Sequence, residues 1–435
     1  MENPSIPIGL TKTIEDSPVP ADVAGGSVHR KPAWQTWLGA LAALAAVYLF
    51  IAAINIMGHG LKTVAKVPAS KAVMAQVYHC ADNPLAGLCV GILVTSLVQS
   101  SSFTTTFTVG LVAAGQIPLP TAIFIIMGAN VGTSVTNTLV SLAHLRRRLE
   151  FQRSLAGATV HDFFNLLCVA VLMPLEWVFG IISGPARWFA GTLGETAFFT
   201  GDPKKYNFMK VAVKPLSQGL DWLLGGVLGL PKTPAGLITA AVGVVLLFAA
   251  LFVLVKVLRE LLKDRLSGLF SRTLFRNSAT SFGVGLVTTT AVQSSSVTTS
   301  LVVPLIGAGV LKIRQIFPYT LGANIGTTVT AILGGLAIAA LAAGQGPAVE
   351  QAAAFGLAVA FAHLLFNLYG TAIFWPLQWI PISLAKGYAK LASEHRALAA
   401  VYILVVFFLI PAAVIFLANC EAFTQLLSAA AVKRP

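Results

Sequence analysis

The sequence predicts an all-α polytopic membrane protein with two inverted-topology repeats, each with a re-entrant helical hairpin and a broken transmembrane helix. Three observations predict this fold class: a composition suited to lipid, recurrent long apolar segments, and polar motifs that occur twice. Of the 435 residues, 56% are hydrophobic and only 10% are charged. Soluble domains carry about 25% charged residues, so this chain cannot cover a globular surface with polar groups.

The predicted spans are apolar windows, since a helical crossing of a bilayer needs about 20 apolar residues. These windows are 34–57, 119–143, 155–182, 236–258, 315–343, 351–380 and 397–420. Residues 1–32 are polar and contain Pro and Gly, so we expect a disordered cytoplasmic tail there. The first apolar run starts too late for a cleavable signal peptide.

The net charge of +13 arises from basic residues that cluster beside the predicted spans, at 29–31, 146–153 and 256–276. This clustering is typical of the cytoplasmic loops of membrane proteins and does not indicate a nucleic-acid partner. The four cysteines, Cys80, Cys89, Cys168 and Cys420, show no metal-ligand spacing. Three of them lie in or beside apolar stretches, where we expect cysteine to be a small packing residue.

An internal repeat relates 83–138 to 277–332 at a constant offset. It pairs "VQSSSFTTT" with "VQSSSVTTS" and "GANVGTSVT" with "GANIGTTVT". Further along, "HDFFN" (161–165) pairs with "HLLFN" (363–367) after a short insertion. A gapless match of this length indicates two homologous halves.

Each half is predicted to contain a full span, an apolar stretch broken at "QSSS", a span with "GAN-x-GT", and another full span. The segments around "QSSS" are too short to cross alone, so we expect a hairpin that enters and leaves on one side. Each half then has three crossings, and the second half runs upside down. Basic residues at 146–153 and 311–315 agree with this topology, because their counterparts at 342–351 and 116–120 contain no Lys or Arg.

These features divide the chain into five parts. They are a disordered cytoplasmic tail (1–32), transmembrane repeat 1 (33–182), an extracellular connecting segment (183–235), transmembrane repeat 2 (236–385) and an extra C-terminal span with its tail (386–435). We expect one amphipathic helix at the membrane interface in the connecting segment. Inverted repeats with broken helices that meet at the midplane are the architecture of secondary transporters.

The broken stretches contain no Asp, Glu, Lys or Arg over 83–145 and 277–311, yet they are dense in Ser, Thr, Asn and Gln. Hydroxyl, amide and freed carbonyl oxygens suit a small alkali cation, and N–H groups at a half-helix start suit an anion. Bound sodium ions would offset the charge of an oxyanion there and couple the two fluxes.

Close packing is the usual role of scattered small residues such as Ser141 and Thr239. A serine nucleophile is disfavoured because no His–acid pair is repeated beside it.

Four glycines of the "GAN-x-GT" spans are expected to break their helices, which packing alone would disfavour: Gly128, Gly132, Gly322 and Gly326.

Asp162 is the main acidic residue within a predicted span, and an intramembrane acid is a functional candidate by default. An interfacial ion pair with Arg153 is the alternative. The repeat places Leu364 at the matching position. Asn165 and Asn367 are repeated and are expected to hydrogen-bond across the bundle.

Four segments resemble the type II sodium–phosphate cotransporter family: "QSSSFTTT", "IIMGANVGTSVTNTLV", "LAGATVHDFFNLLCVAVLMPLEW" and "LGANIGTTVTAIL". The resemblance covers 83–182 and 277–380 and implies uptake of inorganic phosphate coupled to sodium, without a further cofactor. It implies that phosphate lies among Ser100, Ser101, Ser294, Ser295 and Thr330; Ser102 and Ser296 complete the two serine runs as candidates. It implies that sodium lies at or near Gln99, Gln293, Ala323 and Thr327. The other sodium candidates are Asn130, Thr133, Asp162, Asn165 and Asn324.

The resemblance also bears on charge transfer, because relatives that move net charge have Asp at the position of Asp162. It therefore implies electrogenic transport. One stretch departs from the family: relatives read close to "QAGDRTDF" where this chain reads "HLRRRLEF". His144 and Arg147 replace a Gln and an Asp proposed as sodium ligands, which leaves the sodium stoichiometry open.

The predicted function is therefore sodium-driven symport of inorganic phosphate, and an enzyme is not expected. The alternatives are sodium-coupled symport of another anion, such as sulfate or a dicarboxylate, and a membrane phosphate sensor that does not transport. We expect a multi-pass protein of the plasma membrane, in this case a bacterial inner membrane, because the chain lacks the cysteine-rich loop of animal relatives. Its expected partners are phosphate, sodium and the lipid bilayer, and a homo-oligomer is left open.

Overall fold

The structure is a computed structural model that describes residues 33–65, 83–194, 207–269, 275 and 277–418. Every secondary-structure element within these ranges is a helix. The predicted tail (1–32), together with Cys80 and Cys420, lies outside the described residues.

The first half of the chain forms α1 to α6. Their bounds are α1 Ala33–Ala65, α2 Pro84–Val98, α3 Ser101–Ala113, α4 Leu119–Thr133, α5 Val135–Ser141 and α6 Arg148–Phe179. The connecting segment contributes α7 and α8. Their bounds are α7 Ser183–Gly194 and α8 Asn207–Asp221.

The second half repeats this order and adds one span. The bounds are α9 Lys232–Leu269, α10 Ser278–Val292, α11 Ser295–Gly307, α12 Ile313–Ala342, α13 Pro347–Phe374, α14 Trp379–Glu394, α15 Ala397–Leu404 and α16 Ile410–Ala418. A short π-helical stretch, Val405–Leu409, joins α15 to α16.

Seven helical stretches in the described residues are long and apolar enough to cross a membrane. They are Trp37–Gly60, Leu119–His144, Arg148–Phe179, Lys232–Leu254, Ile313–Ala342, Pro347–Phe374 and Ala397–Ala418. Each coincides with one of the predicted windows, so the predicted spans are confirmed. The break predicted at each "QSSS" run is also present, between α2 and α3 and between α10 and α11.

The "GAN-x-GT" glycines pack helices together and do not break them. A Cβ on Gly128 would collide with the Leu88 carbonyl oxygen of α2, and one on Gly322 would collide with that of Phe282 in α10. Helices that approach this closely require glycine at the crossing point. The prediction that four glycines break their helices is therefore wrong: Gly128, Gly132, Gly322 and Gly326 all lie inside continuous helices. The interruption in the first half comes at Ser134, and α12 has none.

The two halves interlock. The first spans α1 and α9 pack along each other, while α2 packs on α4 and α10 packs on α12. The short helix that follows the last span of each repeat packs on the opposite repeat: α7 packs on α13, and α14 packs on α6. This exchange brings the two "QSSS" breaks to a shared boundary, and the final helix α16 covers α2.

Glu176 closes the turn between α6 and α7. Its buried carboxylate accepts hydrogen bonds from the backbone N–H of Ile182 at 2.6 Å and of Ser183 at 3.1 Å. These N–H groups begin α7 and have no partner within their own helix. The chain can make this turn because Gly180 ends α6 in the left-handed conformation, with φ of 62°.

We expect Glu176→Ala to lower the free energy of unfolding by about 2 kcal/mol, because it leaves buried N–H groups unsatisfied. The measurement is thermal unfolding of the purified protein in detergent. Glu150→Ala is the control: Glu150 pairs with exposed Arg147, and such surface pairs contribute little to stability. Equal effects of the two substitutions would contradict the capping role.

Candidate functional site

Each "QSSS" run begins with a glutamine in an unusual backbone conformation. Gln99 (φ 58°) and Gln293 (φ 60°) are the only non-glycine residues with positive φ in the part of the chain that the structure describes. The left-handed conformation costs about 1–2 kcal/mol for a residue with a Cβ. Such strain persists where the surroundings impose it, and it clusters at functional sites. Its presence at both repeat-related positions indicates a shared role.

Each glutamine side chain is held from two directions. Gln99 Nε2 donates to the Ser96 carbonyl oxygen, and Gln99 Oε1 accepts from Thr136 Oγ1 at 2.8 Å. Gln293 repeats the second contact, with Thr330 Oγ1 as donor at 2.6 Å. Two predicted sodium candidates and the phosphate candidate Thr330 therefore lie at the breaks, with the glutamine oxygens oriented by threonine hydroxyls.

Each serine run starts the helix that follows. Ser100 Oγ accepts from the backbone N–H of Phe103 at 3.2 Å, and Ser294 Oγ accepts from that of Val297 at 3.4 Å. The earlier N–H groups of α3 and α11 have no partner within their helices, as at any helix start. Together with the positive end of the helix dipole, they form an arrangement suited to an anion.

The two breaks meet across the boundary between the halves. Ser102 Oγ donates to the Gln293 carbonyl oxygen at 3.1 Å and lies 3.3 Å from Thr327 Oγ1 of α12. Ser295 Oγ is buried and has no hydrogen-bond partner among the described residues. The structure therefore brings phosphate candidates and sodium candidates from both halves to one place. Ser101 and Ser296 are also buried there, next to these residues in the chain.

Asparagines join the halves beside the breaks. Asn324 Nδ2 donates to Asn165 Oδ1 at 3.0 Å, and Asn165 Nδ2 donates to the Asn130 carbonyl oxygen at 2.9 Å. Asn367 Nδ2 donates to Asn130 Oδ1 at 3.1 Å. The expectation that Asn165 and Asn367 hydrogen-bond across the bundle is confirmed. In this conformation three sodium candidates, Asn130, Asn165 and Asn324, are bonded to protein groups.

Two buried histidines that the sequence analysis did not single out complete this network. His161 Nε2 lies 2.7 Å from Asn324 Oδ1, and His363 Nε2 lies 3.3 Å from Asn130 Oδ1. Each half thus supplies a histidine to the "GAN" asparagine of the other half. The signal that could have found them is their shared place at the start of "HDFFN" and "HLLFN".

Asp162 lies on α6 and is fully buried against α5. Its Oδ2 accepts from Thr138 Oγ1 at 3.0 Å, while Oδ1 has no hydrogen-bond partner within the described ranges. Asp162 forms no ion pair with Arg153 there, so the interfacial alternative is not realised. A buried carboxylate with one unpartnered oxygen can accept a cation.

The remaining candidates offer fewer ligand atoms. Thr133 Oγ1 donates to a carbonyl of its own helix at 2.7 Å, and buried Ala323 has only backbone oxygen. Arg147 Nη1 donates to Glu150 Oε1 at 2.7 Å, which holds the pKa of Arg147 above its ordinary value. The Arg147 side chain is 77% exposed, and His144 Nδ1 lies 3.7 Å from the same carboxylate. His144 and Arg147, the two residues that depart from the family pattern, therefore both pair with Glu150 near the surface.

Comparisons with known proteins agree with the repeat. Residues 49–178 and 246–371 match the family described as Na+/Pi-cotransporter. The chain is 33% identical to sodium-dependent phosphate transport protein 2A of Rattus norvegicus, over 85% of this chain and 66% of that protein. It is 31% identical to sodium-dependent phosphate transport protein 2B of Homo sapiens, over 76% and 58% respectively. The chain thus spans less than two thirds of these relatives. No solved structure matches it.

Proposed function

Because the chain belongs to the Na+/Pi-cotransporter family, a family of transporters and not of enzymes, we propose that it carries inorganic phosphate together with sodium by alternating access. The observation that carries the proposal is the meeting of the two "QSSS" breaks, where Ser102 of one half bonds the Gln293 carbonyl of the other. Two half-helix starts there offer N–H groups and hydroxyls to one anion. Amide, hydroxyl and carbonyl oxygens beside them suit its co-transported cations.

The proposed topology is inverted, with re-entrant hairpins formed by α2–α3 and α10–α11. Their lengths support this: α2 has 15 residues and α3 has 13. At about 1.5 Å per residue these helices are roughly 22 and 20 Å long, shorter than the ~30 Å hydrocarbon core. Freed backbone groups are tolerated at this depth where they line a cavity between protein helices, and Ser102 and Ser295 beside the two tips are buried. We place the protein in the plasma membrane, as a bacterial inner-membrane protein.

In the proposed mechanism, phosphate binds between the serine runs and sodium binds at the glutamines, at Thr327 and at Asp162. No Lys or Arg occurs in 83–145 or 277–311 to neutralise an anion. Sodium ions offset the phosphate charge instead, so neither ion binds well alone and the two fluxes are coupled. The Asp162 carboxylate provides one cation-binding position in the first half, and the second half has no equivalent. The additional cation supports transport with net movement of positive charge.

The test of the function is uptake of radiolabelled phosphate into proteoliposomes. We expect accumulation with an inward sodium gradient and none with an inward potassium gradient. A membrane potential that is negative inside should accelerate it. Absence of sodium-driven accumulation in vesicles that contain folded protein would contradict the proposal, and phosphate binding without accumulation would indicate a sensor.

Competition in the same assay tests the substrate. Arsenate has the shape and charge of phosphate, so we expect it to inhibit phosphate uptake. Sulfate and succinate should leave uptake unchanged at equal concentration. Strong inhibition by sulfate or succinate would instead indicate a carrier for another anion.

A further inference from the structure

Tyr402 lies on α15, at the beginning of the extra C-terminal span, and its hydroxyl faces the carboxylate of Asp162. Both regions that match the family end earlier in the chain, the second at residue 371. The Tyr402 ring packs on Tyr388 and Phe407, with ring centroids 4.8 and 5.8 Å away. Phe163, the neighbour of Asp162 in α6, lies 6.4 Å from it. A residue outside both repeats therefore reaches the one acidic group in the proposed cation site.

The Tyr402 hydroxyl lies beside the Asp162 carboxylate, but the two groups do not reach the distance and angle of a well-formed hydrogen bond. Within the described residues, the Tyr402 hydroxyl and Asp162 Oδ1 are both buried atoms without a hydrogen-bond partner. A buried polar group that stays without a partner destabilises the folded state. Two of them in the same small space indicate a place for a third group that contacts both.

The position of Asp162 limits which of its oxygens can take part. Thr138 holds Oδ2 from α5, so Oδ1 is the oxygen left for another ligand. The hydroxyl of Ser134, at the break between α4 and α5, also lies against this carboxylate. Asp162 Oδ1 and the Tyr402 hydroxyl oxygen therefore face the space, and the Ser134 hydroxyl near them donates to the Val131 carbonyl oxygen at 2.7 Å.

The chemistry of this space selects a small cation. Carboxylate and hydroxyl oxygens are hard ligands that suit alkali and alkaline-earth cations. An anion would be repelled by the carboxylate. Only one full negative charge faces the space, which favours a monovalent ion over a divalent one.

The helices hold Tyr402 in place independently of any ion. The Tyr388 hydroxyl of α14 donates to the Leu398 carbonyl oxygen at 3.1 Å, which ties α14 to the first turn of α15. The aromatic contacts of Tyr402 then set the direction of its ring. Its hydroxyl is thus oriented toward Asp162 before a cation arrives, and little side-chain freedom is lost on binding.

We propose that Tyr402 is a ligand of the sodium ion at Asp162, so that the C-terminal span completes a site that the first repeat leaves open. The inference rests on the proposed function, in which Asp162 binds sodium. The second half has Leu364 at the position of Asp162, so this span serves the first repeat alone. Tyr402 adds a neutral oxygen, which strengthens sodium binding without changing the charge of the site.

The experiment compares Tyr402→Phe with wild type in sodium-driven phosphate uptake. Loss of one ligand should raise the apparent KM for sodium about tenfold. The KM for phosphate at saturating sodium and the maximal rate should stay near wild type. Tyr388→Phe is the matched control: it removes a hydroxyl from the same aromatic cluster, but one that bonds a backbone carbonyl. It should lower the unfolding temperature and leave the sodium KM unchanged.

A binding measurement accompanies the transport assay. Sodium should raise the unfolding temperature of wild type and Tyr388→Phe relative to choline, because a ligand of the native state stabilises it. The rise should be smaller in Tyr402→Phe and smallest in Asp162→Asn. If Tyr402→Phe does not fold, Tyr402→Met preserves apolar bulk without the hydroxyl and carries the same expectations.

The outcomes separate the inference from the function on which it rests. No sodium-driven uptake by wild type would overturn the proposed function itself. Wild-type uptake together with an unchanged sodium KM and full sodium stabilisation in Tyr402→Phe would overturn the inference alone. An equal rise in sodium KM for Tyr402→Phe and Tyr388→Phe would also overturn it, because the effect would then come from packing of the cluster.

Discussion

Gln99→Ala is expected to reduce sodium-driven phosphate uptake by about 100-fold while the protein remains folded. The side chain donates to the Ser96 carbonyl oxygen and accepts from Thr136 Oγ1, so alanine removes both contacts and a proposed sodium ligand. At about 1–2 kcal/mol for each contact, the summed loss is roughly 3 kcal/mol, which corresponds to about two orders of magnitude. The measurement is the initial rate of uptake in proteoliposomes, normalised to inserted protein.

Gln116→Ala is the matched control for this prediction. Gln116 likewise donates to a nearby backbone carbonyl, that of Ala114, but it is buried and lies just beyond the far end of α3. We expect its uptake rate to stay within about twofold of wild type, since no proposed ligand is lost. Wild-type uptake by folded Gln99→Ala would remove the glutamines from the site.

Ser295→Ala is expected to abolish uptake at low phosphate and to leave stability unchanged. Ser295 Oγ is buried without a hydrogen-bond partner in the described residues, so its removal breaks no protein contact. The hydroxyl is available for phosphate at the start of α11, beside the other break. Hydrogen bonds to a charged group contribute about 1.5–3 kcal/mol, so the KM for phosphate should rise by roughly 10- to 150-fold.

Ser281→Ala controls for the loss of a buried hydroxyl. Ser281 Oγ is likewise buried without a partner among the described residues, but it lies near the start of α10, away from the break. We expect both variants to unfold at the wild-type temperature and only Ser295→Ala to change the KM for phosphate. Equal phosphate KM values for the two variants would contradict a substrate role for Ser295.

Local features of the fold were predictable because they depend on short-range chemistry. The "QSSS" runs combine a residue that ends one helix with a serine that caps the next, and both breaks are present where predicted. Hydrophobic length predicted the spans for the same reason. Asp162 was recognisable because a carboxylate in an apolar span is costly to bury.

Other features depend on which helices pack together. The order of hydrophobic and polar residues along the sequence does not contain that information. From the sequence alone, Gly128 could either break its helix or allow a close helix crossing. The structure decides for the crossing, because the Leu88 backbone of α2 lies against Gly128. His161 and Asn324 are far apart in the chain, and their hydrogen bond exists only because α6 packs against α12. The contact between Tyr402 and Asp162 likewise requires the last span to fold back onto the first repeat.

The sequence by itself determined the membrane class, the two homologous halves, the predicted spans, and the family through its repeated polar motifs. These follow from hydrophobicity and from identity at fixed spacing, which need no knowledge of distant neighbours. Only the tertiary structure decided that Ser102 meets Gln293, that the "GAN" asparagines are held by histidines of the opposite halves, and that Asp162 keeps one oxygen unpartnered. Each depends on side chains from separate helices coming within hydrogen-bonding distance, and helix packing alone sets that distance.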